Sequence, residues 1–239
     1  YKNYVFLCAA IHPEFIKALA IVKKAAAVAN RDLRLLDDDI TNAIVKAANE
    51  VILGKFSDHF IVDIYQAGAG TPYNMNMNEV IANRASEIMR GKLGSYIVHP
   101  NNHVNLSQSS NDVIPTATRI ASLLALSDLL IELKKLAESF RIKAREFDKI
   151  LKVGRTHLRD AVPIRLGQEF NAWASDLEKR LISLQNATKN LYQLHIGGSA
   201  IGTGLNVTSN FAGLTIKYLR KKLSLPFVPA RNKIEQTQF

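Results

Sequence analysis

Apolar residues recur along this chain at helical rather than strand spacing, and most of its predicted organisation follows from that pattern. Residues 12–29 (HPEFIKALAIVKKAAAVA) carry a wide apolar face with Pro13 in the first turn, which predicts an amphipathic helix. A second helix is expected over about 40–53, behind the triplet Asp37-Asp38-Asp39. Carboxylates at a helix N-terminus account for that triplet without a metal ion. From 68 to 111 the hydrophobic period fades into Gly, Asn, Ser, Gln and His. This predicts a loop-rich stretch broken by one helix over about 78–89.

The strongest pattern comes next. Leu126, Leu130, Leu133, Ala137, Phe140, Ala144 and Phe147 are spaced alternately four and three apart, the seam of a long helix packed in a bundle. Pro115 is expected at its start, and Gly154 lies beyond its end. After a short connection, Pro163 is expected to open a second long helix, whose apolar face runs from Leu166 through Phe170, Trp173 and Leu177 to Leu194. The glycine-rich stretch 197–204 is expected to end it, followed by a shorter helix over about 210–223 and a loop with Pro226 and Pro229. Neither long helix can bury its face against the other alone, so the bundle needs helices that this chain does not supply. The expected fold class is mostly α: a loop-rich helical N-terminal domain (1–112), then part of a long central helix bundle (113–239).

Composition narrows this picture only a little. The 239 residues are 47% hydrophobic and 22% charged, which excludes a disordered tail or a collagen. The single cysteine, Cys8, forms no internal disulfide and belongs to no CxxC pair, so a reducing, cytoplasmic location is expected. No uninterrupted apolar run reaches the ~18 residues of a membrane span; the best stretch, 18–29, is broken by Lys23-Lys24, and no membrane partner is expected. A net charge of +10 invites a nucleic-acid reading. The basic residues, however, sit in amphipathic helices beside Glu132, Glu138 and Glu146, without interleaved aromatics. A solvated face is expected instead, with a mild field that steers small anions and no nucleic-acid partner. The chain opens on Tyr1 and stops at Phe239, which points to a piece of a longer protein.

Two glycine motifs fail on inspection. Gly68-Ala69-Gly70 lacks the third glycine of a dinucleotide loop and is followed by Pro72, and Gly197–Gly202 has P-loop spacing but Thr203 where lysine is required. His12, His59, His103 and His195 have no metal-ligand spacing, so no metal or cofactor is expected. Three polar clusters remain: Thr71 with Asn74, Asn76 and Asn78; the run from His99 and Asn101 into Ser109-Ser110-Asn111-Asp112; and Gly154-Arg155-Thr156-His157. Two of them are expected at the N-terminal ends of long helices, where free N–H groups and the helix dipole favour anions. Helix capping explains any one cluster alone. The three together point to a carboxylate or phosphate site. A straight helix over 115–148, about 34 residues at ~1.5 Å each, separates Ser109–Asn111 from Thr156-His157 by ~50 Å. If both serve one site, that site is shared between antiparallel subunits of an obligate oligomer.

The stretches GAGTPYNMNMNEVIANRA (68–85), HPNNHVNLSQSSNDVIPTATR (99–119), GRTHLRDAVPIRLGQEF (154–170) and GGSAIGTGLN (197–206) resemble the aspartase/fumarase superfamily, over essentially the whole chain. The resemblance implies a homotetramer with composite active sites and a small dicarboxylate substrate. It implies that Thr71, Ser109, Ser110, Asn111, Thr156 and His157 hold the substrate's carboxylates and amino group, His157 orienting substrate rather than acting as the base. His99 and Asn101 resemble a secondary dicarboxylate site. The implied chemistry is removal of a proton next to one carboxylate, followed by departure of the group on the neighbouring carbon. Donors aimed at the doubly negative carboxyl of the intermediate would stabilise it above the ground state.

The likeness to the aspartases is the closer, through Ala69 and the opening IHPEFIKALAIVKKAAAVAN, and implies reversible elimination of ammonia from L-aspartate to give fumarate. Ser110 resembles the fumarases, which act on malate and fumarate. Pro72, Asn102, Arg159 and Ser199 stand where the family usually has Ser, Asp, Gln and Thr. The family's Gly-Ser-Ser loop, which carries its catalytic serine, has no counterpart in these residues. An inactive fragment without a base is therefore a further reading.

Overall fold

The computed structural model describes residues 11–65, 70–90 and 92–238. Cys8, Gly68, Ala69, Tyr1 and Phe239 lie outside the described residues. The chain is mostly helical, as its periodicity predicts, and groups into two compact units: 1–122 with 191–239, and 123–190. This grouping differs from a division at 112/113, because the chain returns after residue 190 to pack with the N-terminal helices.

In the first unit, helix α1 (Pro13–Asp32) begins where His12 Nδ1 accepts the Glu14 N–H at 3.2 Å, with Pro13 at a position whose missing N–H has no partner to lose. Helix α1 was expected to bury one face. Instead it is buried nearly all round, because Ala18, Ala20, Ala25, Ala26 and Ala29 let neighbours close on every side. Helix α2 (Asp38–Ile52) has Asp37 at its N-cap and Asp38 and Asp39 in its first turn, the arrangement the acidic triplet predicts. Helix α3 (Thr71–Arg90) corrects the expected 78–89: it starts at Thr71, with Pro72 in the first turn, where the absent N–H costs little. Its asparagines disguised it, since Asn74 and Asn78 are polar yet buried. Arg84 of α3 grips Glu50 of α2 through Nε (2.6 Å) and a second nitrogen (3.1 Å).

Helix α4 (Ser110–Glu146) is 37 residues long and starts at Ser110 rather than at Pro115, which lies in its second turn. By length and composition an 18-residue window of it would suffice to cross a membrane, and most of that window is not buried. That window was not visible as an apolar run because its hydrophobic residues alternate with polar ones at seam spacing.

Later elements of the first unit are the short strands β3 (Gln193–Leu194) and β4 (Val228–Pro229), paired in parallel, helix α6 (Phe211–Leu223) and helix α7 (Lys233–Gln238).

The second unit holds the rest of α4, a β-hairpin and helix α5. The hairpin of β1 (Leu151–Thr156) and β2 (Arg159–Arg165) replaces the short connection expected there. Its two-residue turn, His157-Leu158, has φ +50° and +62°, the left-handed pair that matches hairpin twist. Pro163 lies in β2 opposite Val153, which a two-stranded edge tolerates, so it does not open a helix. Helix α5 (Leu166–Ala187) begins instead where the Arg165 N–H donates to Gln168 Oε1 at 3.0 Å. It ends before Leu191 and Leu194, which continue its apolar spacing but lie in a 3₁₀ turn (Thr188–Tyr192) and in β3.

The seam is real. Phe140, Phe147, Phe170 and Trp173 stack with ring centroids between 4.9 and 5.8 Å apart. At the start of α5, a Cβ on Gly167 would lie 2.3 Å from the Ala144 carbonyl oxygen, so the two helices meet backbone to backbone.

Candidate anion site at converging helix N-termini

Two helix N-termini meet in the first unit. Gly70, with φ +63°, leads into α3, and a Cβ there would lie 3.0 Å from Ile114 Cγ2 of α4. Glycine therefore lets the start of α3 close onto the first turns of α4. Asn74, 1% exposed, bridges the two: its Nδ2 donates to Ser110 Oγ at 3.0 Å and to Asn105 Oδ1 at 3.1 Å. Two positive dipole ends at one corner favour an anion.

The hydroxyls are set for the same task. Ser110 Oγ accepts from Asn74, and Ser109 Oγ accepts the Asn111 N–H at 3.3 Å. With a lone pair so engaged, each O–H keeps its proton to donate. The Ser110 N–H has no partner among the described residues. Asn111 Nδ2 donates to the Ala200 carbonyl at 2.7 Å, which draws the glycine-rich loop over the same turn.

Beneath these residues lie buried charges. Asp112 is fully buried; one oxygen accepts the Ser109 N–H at 3.0 Å, the other the N–H groups of Gly197 (3.0 Å) and Ser199 (2.9 Å). Burial pushes its carboxyl up to about 6, against the three N–H donors that lower it. Lys23 of α1, also fully buried, donates from Nζ to Asn105 Oδ1 (2.8 Å) and Gln108 Oε1 (3.0 Å), and burial brings it down to about 7. His195, beside β3, is fully buried. Burial, then nearby Arg119, pushes it down to about 4, so it is neutral at physiological pH.

The signs of the two buried charges give a stability profile. Asp112 is raised in the folded chain, so its contribution is present at low pH and lost as pH rises towards about 6. Lys23 is lowered, so its contribution is present above pH 10.5 and lost as pH falls towards about 7. Denaturant unfolding across pH is expected to show stability rising from about pH 7 towards alkaline pH, and Lys23→Met is expected to lose that rise. An identical alkaline limb in the variant would remove Lys23 as its source.

The structure thus brings the start of α3, where Thr71 lies, against the first turns of α4, which follow Ser109 and carry Ser110 and Asn111. Of the first cluster, Asn76 turns away to the His59 carbonyl and the Ile61 N–H, and Asn78 to Met75. His99 and Asn101 are engaged with each other: His99 Nδ1 accepts the N–H groups of Asn101 (3.1 Å) and Asn102 (3.2 Å), capping a π-helical turn, Pro100–Val104. No hydrogen bond among the described residues ties this turn to Ser109–Asn111. Thr156 and His157 fall in the second unit, exposed at the hairpin turn. The expectation that their cluster stands at a helix N-terminus is corrected, because β2 intervenes before α5; the second N-terminal cluster is the one at Thr71. Lys23 and His195 were not legible as parts of the site. The one signal for Lys23 was a lysine interrupting an otherwise apolar helix.

Over residues 2–239 the chain matches the family model described as "Lyase". It is 49% identical over 238 residues to the aspartate ammonia-lyase of Bacillus subtilis, covering 99% of this chain and 50% of that protein. It is 53% identical over 221 residues to the class II fumarate hydratase of Thermus aquaticus, covering 92% of this chain and 47% of that one. Among solved structures, the fumarate lyase:delta crystallin of Brucella melitensis superposes with a TM-score of 0.92 at 42% identity, over 99% of this chain and 52% of that one. The fold is that of a lyase. The chain belongs to the aspartase/fumarase family. It spans about half the length of the curated relatives it matches.

Proposed function

We propose that this chain supplies the carboxylate-binding part of a lyase that eliminates ammonia from L-aspartate to give fumarate. The observation that carries it is the corner where α3 and α4 begin, with Ser109 and Ser110 keeping their hydroxyl protons to donate. A carboxyl that gains a second negative charge as the neighbouring proton leaves gains most from such donors, which lowers the barrier rather than merely binding substrate. Thr156 and His157 complete the site from another copy in a homotetramer, His157 orienting the substrate. The length of α4, 37 residues and so ~55 Å, supports that arrangement. His99 and Asn101 form a secondary dicarboxylate site, and the protein is cytoplasmic.

A second reading is malate dehydration, supported by the 53% identity to the Thermus aquaticus fumarate hydratase. The assay follows absorbance in the fumarate band with L-aspartate and, separately, L-malate, alongside the intact mass of the purified polypeptide. Fumarate from L-aspartate is expected; fumarate from L-malate alone would replace the aspartase reading with the fumarase one. The base is assigned to residues outside this sequence. Turnover by a species of 26.5 kDa would overturn that assignment.

A further inference from the structure

We propose that Asp112 is a positioning residue: its carboxylate clamps the 197–200 loop onto the first turn of α4 and thereby holds Ser110 and Asn111 in the geometry with which they meet a substrate carboxylate. The last clause rests on the reading above; the clamp itself rests on contacts. Asp112 takes N–H bonds from both sides of the junction, Ser109 on α4 and Gly197 and Ser199 on the loop. One residue earlier, Asn111 Nδ2 holds the Ala200 carbonyl at 2.7 Å, so adjacent residues of α4 secure both ends of a short loop segment. Gly197 is itself pressed against α6, where a Cβ would lie 2.8 Å from Ala212 Cβ. Only an acceptor can do this work. Three N–H donors converge on one side chain, and a carboxylate satisfies all three while an amide must present an N–H₂ among them.

The charge has a reason as well. A second chain of bonds runs from Lys23 through Asn105 and Asn74 to Ser110 Oγ. The first turn of α4 is thus held from below by Lys23 and from the loop side by Asp112. Of the charged groups around Asp112, Lys23 of α1 acts on it directly and favours the carboxylate. His195, beside β3, is neutral through the relevant range, while Arg119 of α4 and Lys233 of α7 bear on His195. The elements at the α3 side and the 105–108 turn present amides, not charges. Protonation of Asp112 turns one acceptor oxygen into a donor facing N–H groups, and the clamp opens. Site geometry is therefore coupled to the ionisation of a group that the substrate never touches.

The test uses the full 239-residue chain, isotope-labelled, titrated from about pH 8 to about pH 5 with and without fumarate, which stays mostly doubly ionised over this range. The amide signals of Ser109, Gly197 and Ser199 are expected to move together with one midpoint near 6. Below it, hydrogen exchange at the Asn111 and Ala200 amides is expected to quicken by about 10-fold or more beyond the intrinsic pH effect, and fumarate affinity to fall by about 10-fold. Asp112→Asn is expected to abolish the midpoint and leave Asn111 and Ala200 exchanging quickly at every pH. Lys23→Met is expected to move the midpoint upward, since it removes the charge that favours the carboxylate. Should Asp112→Asn not fold, the wild-type titration and Lys23→Met decide. Three amides that titrate separately, or not at all, overturn the clamp. So does fumarate affinity that is intact but indifferent to the midpoint. If the amides behave as expected and fumarate does not bind at any pH, the clamp stands and the dicarboxylate reading falls.

Discussion

Ser110→Ala, in the assembled lyase, is expected to lower kcat/KM for fumarate formation by roughly 10²-fold to 10³-fold, with most of the loss in kcat. Ser110 offers two donors at once, an O–H freed by the Asn74 bond to its oxygen and an N–H at the first turn of α4. The substitution removes only the first. Its effect should exceed that of an ordinary hydrogen bond, since the group is aimed at charge that grows in the transition state rather than at charge already present. The loss of the hydroxyl also strands Asn74 Nδ2 less than it might, because Asn105 Oδ1 remains within 3.1 Å. The chain should stay folded, and the drop should be kinetic. Ser95→Ala is the matched comparison, since Ser95 Oγ bonds the Lys92 carbonyl at the surface. Steady-state kinetics on both variants decide the matter: an effect on Ser110→Ala no larger than that on Ser95→Ala would take the substrate carboxylate away from this corner.

Gly202→Ala should damage the fold itself. Gly202 has φ +92°, and a Cβ there would lie 2.4 Å from Ile234 Cα and 2.5 Å from Ile234 N. These are backbone atoms of α7, which cannot rotate away as a side chain could. Backbone strain of ~1–3 kcal/mol and overpacking of ~1–3 kcal/mol together suggest a loss of roughly 2–6 kcal/mol. For a chain of this size that corresponds to a drop in Tm of roughly 4–24 °C. Gly213→Ala supplies the contrast. It sits inside α6 with nothing within 4 Å of the added carbon, so alanine should stabilise by up to ~1 kcal/mol through helix propensity. Thermal unfolding by circular dichroism compares the two directly. Equal Tm values would mean that α7 does not rest on Gly202.

Where apolar spacing met helical geometry without interruption, the sequence was sufficient. Phe140 and Phe147 of the seam pack against α5, and the acidic triplet became the start of α2. It failed where a residue had two possible uses. Pro163 is as acceptable in an edge strand as in a first helical turn, and the hairpin pairing of Val153 with Pro163 chose the strand. Leu191 and Leu194 kept the helical period beyond the end of α5, since a buried strand and a helix face both want leucine. Asparagines hid the start of α3 because burial with partners, as at Asn74, leaves no hydrophobic trace.

The candidate site divides in the same way. Ser109, Ser110 and Asn111 were legible as a polar cap ahead of α4, and Thr71 as part of a second polar cluster. The local sequence alone determined that α4 would begin with a cap of hydroxyls and amides, that most of the chain would be helical, and that it would carry the motifs of a lyase family. Only the tertiary structure decided that Gly70 brings a second helix N-terminus against that cap, that Lys23 is a buried charge rather than a surface one, and that Asp112 joins α4 to a loop more than eighty positions away. The reason is physical. Capping and helical period are read over a few neighbouring residues, whereas the cost of burying a charge depends on partners that only folding brings within hydrogen-bond reach.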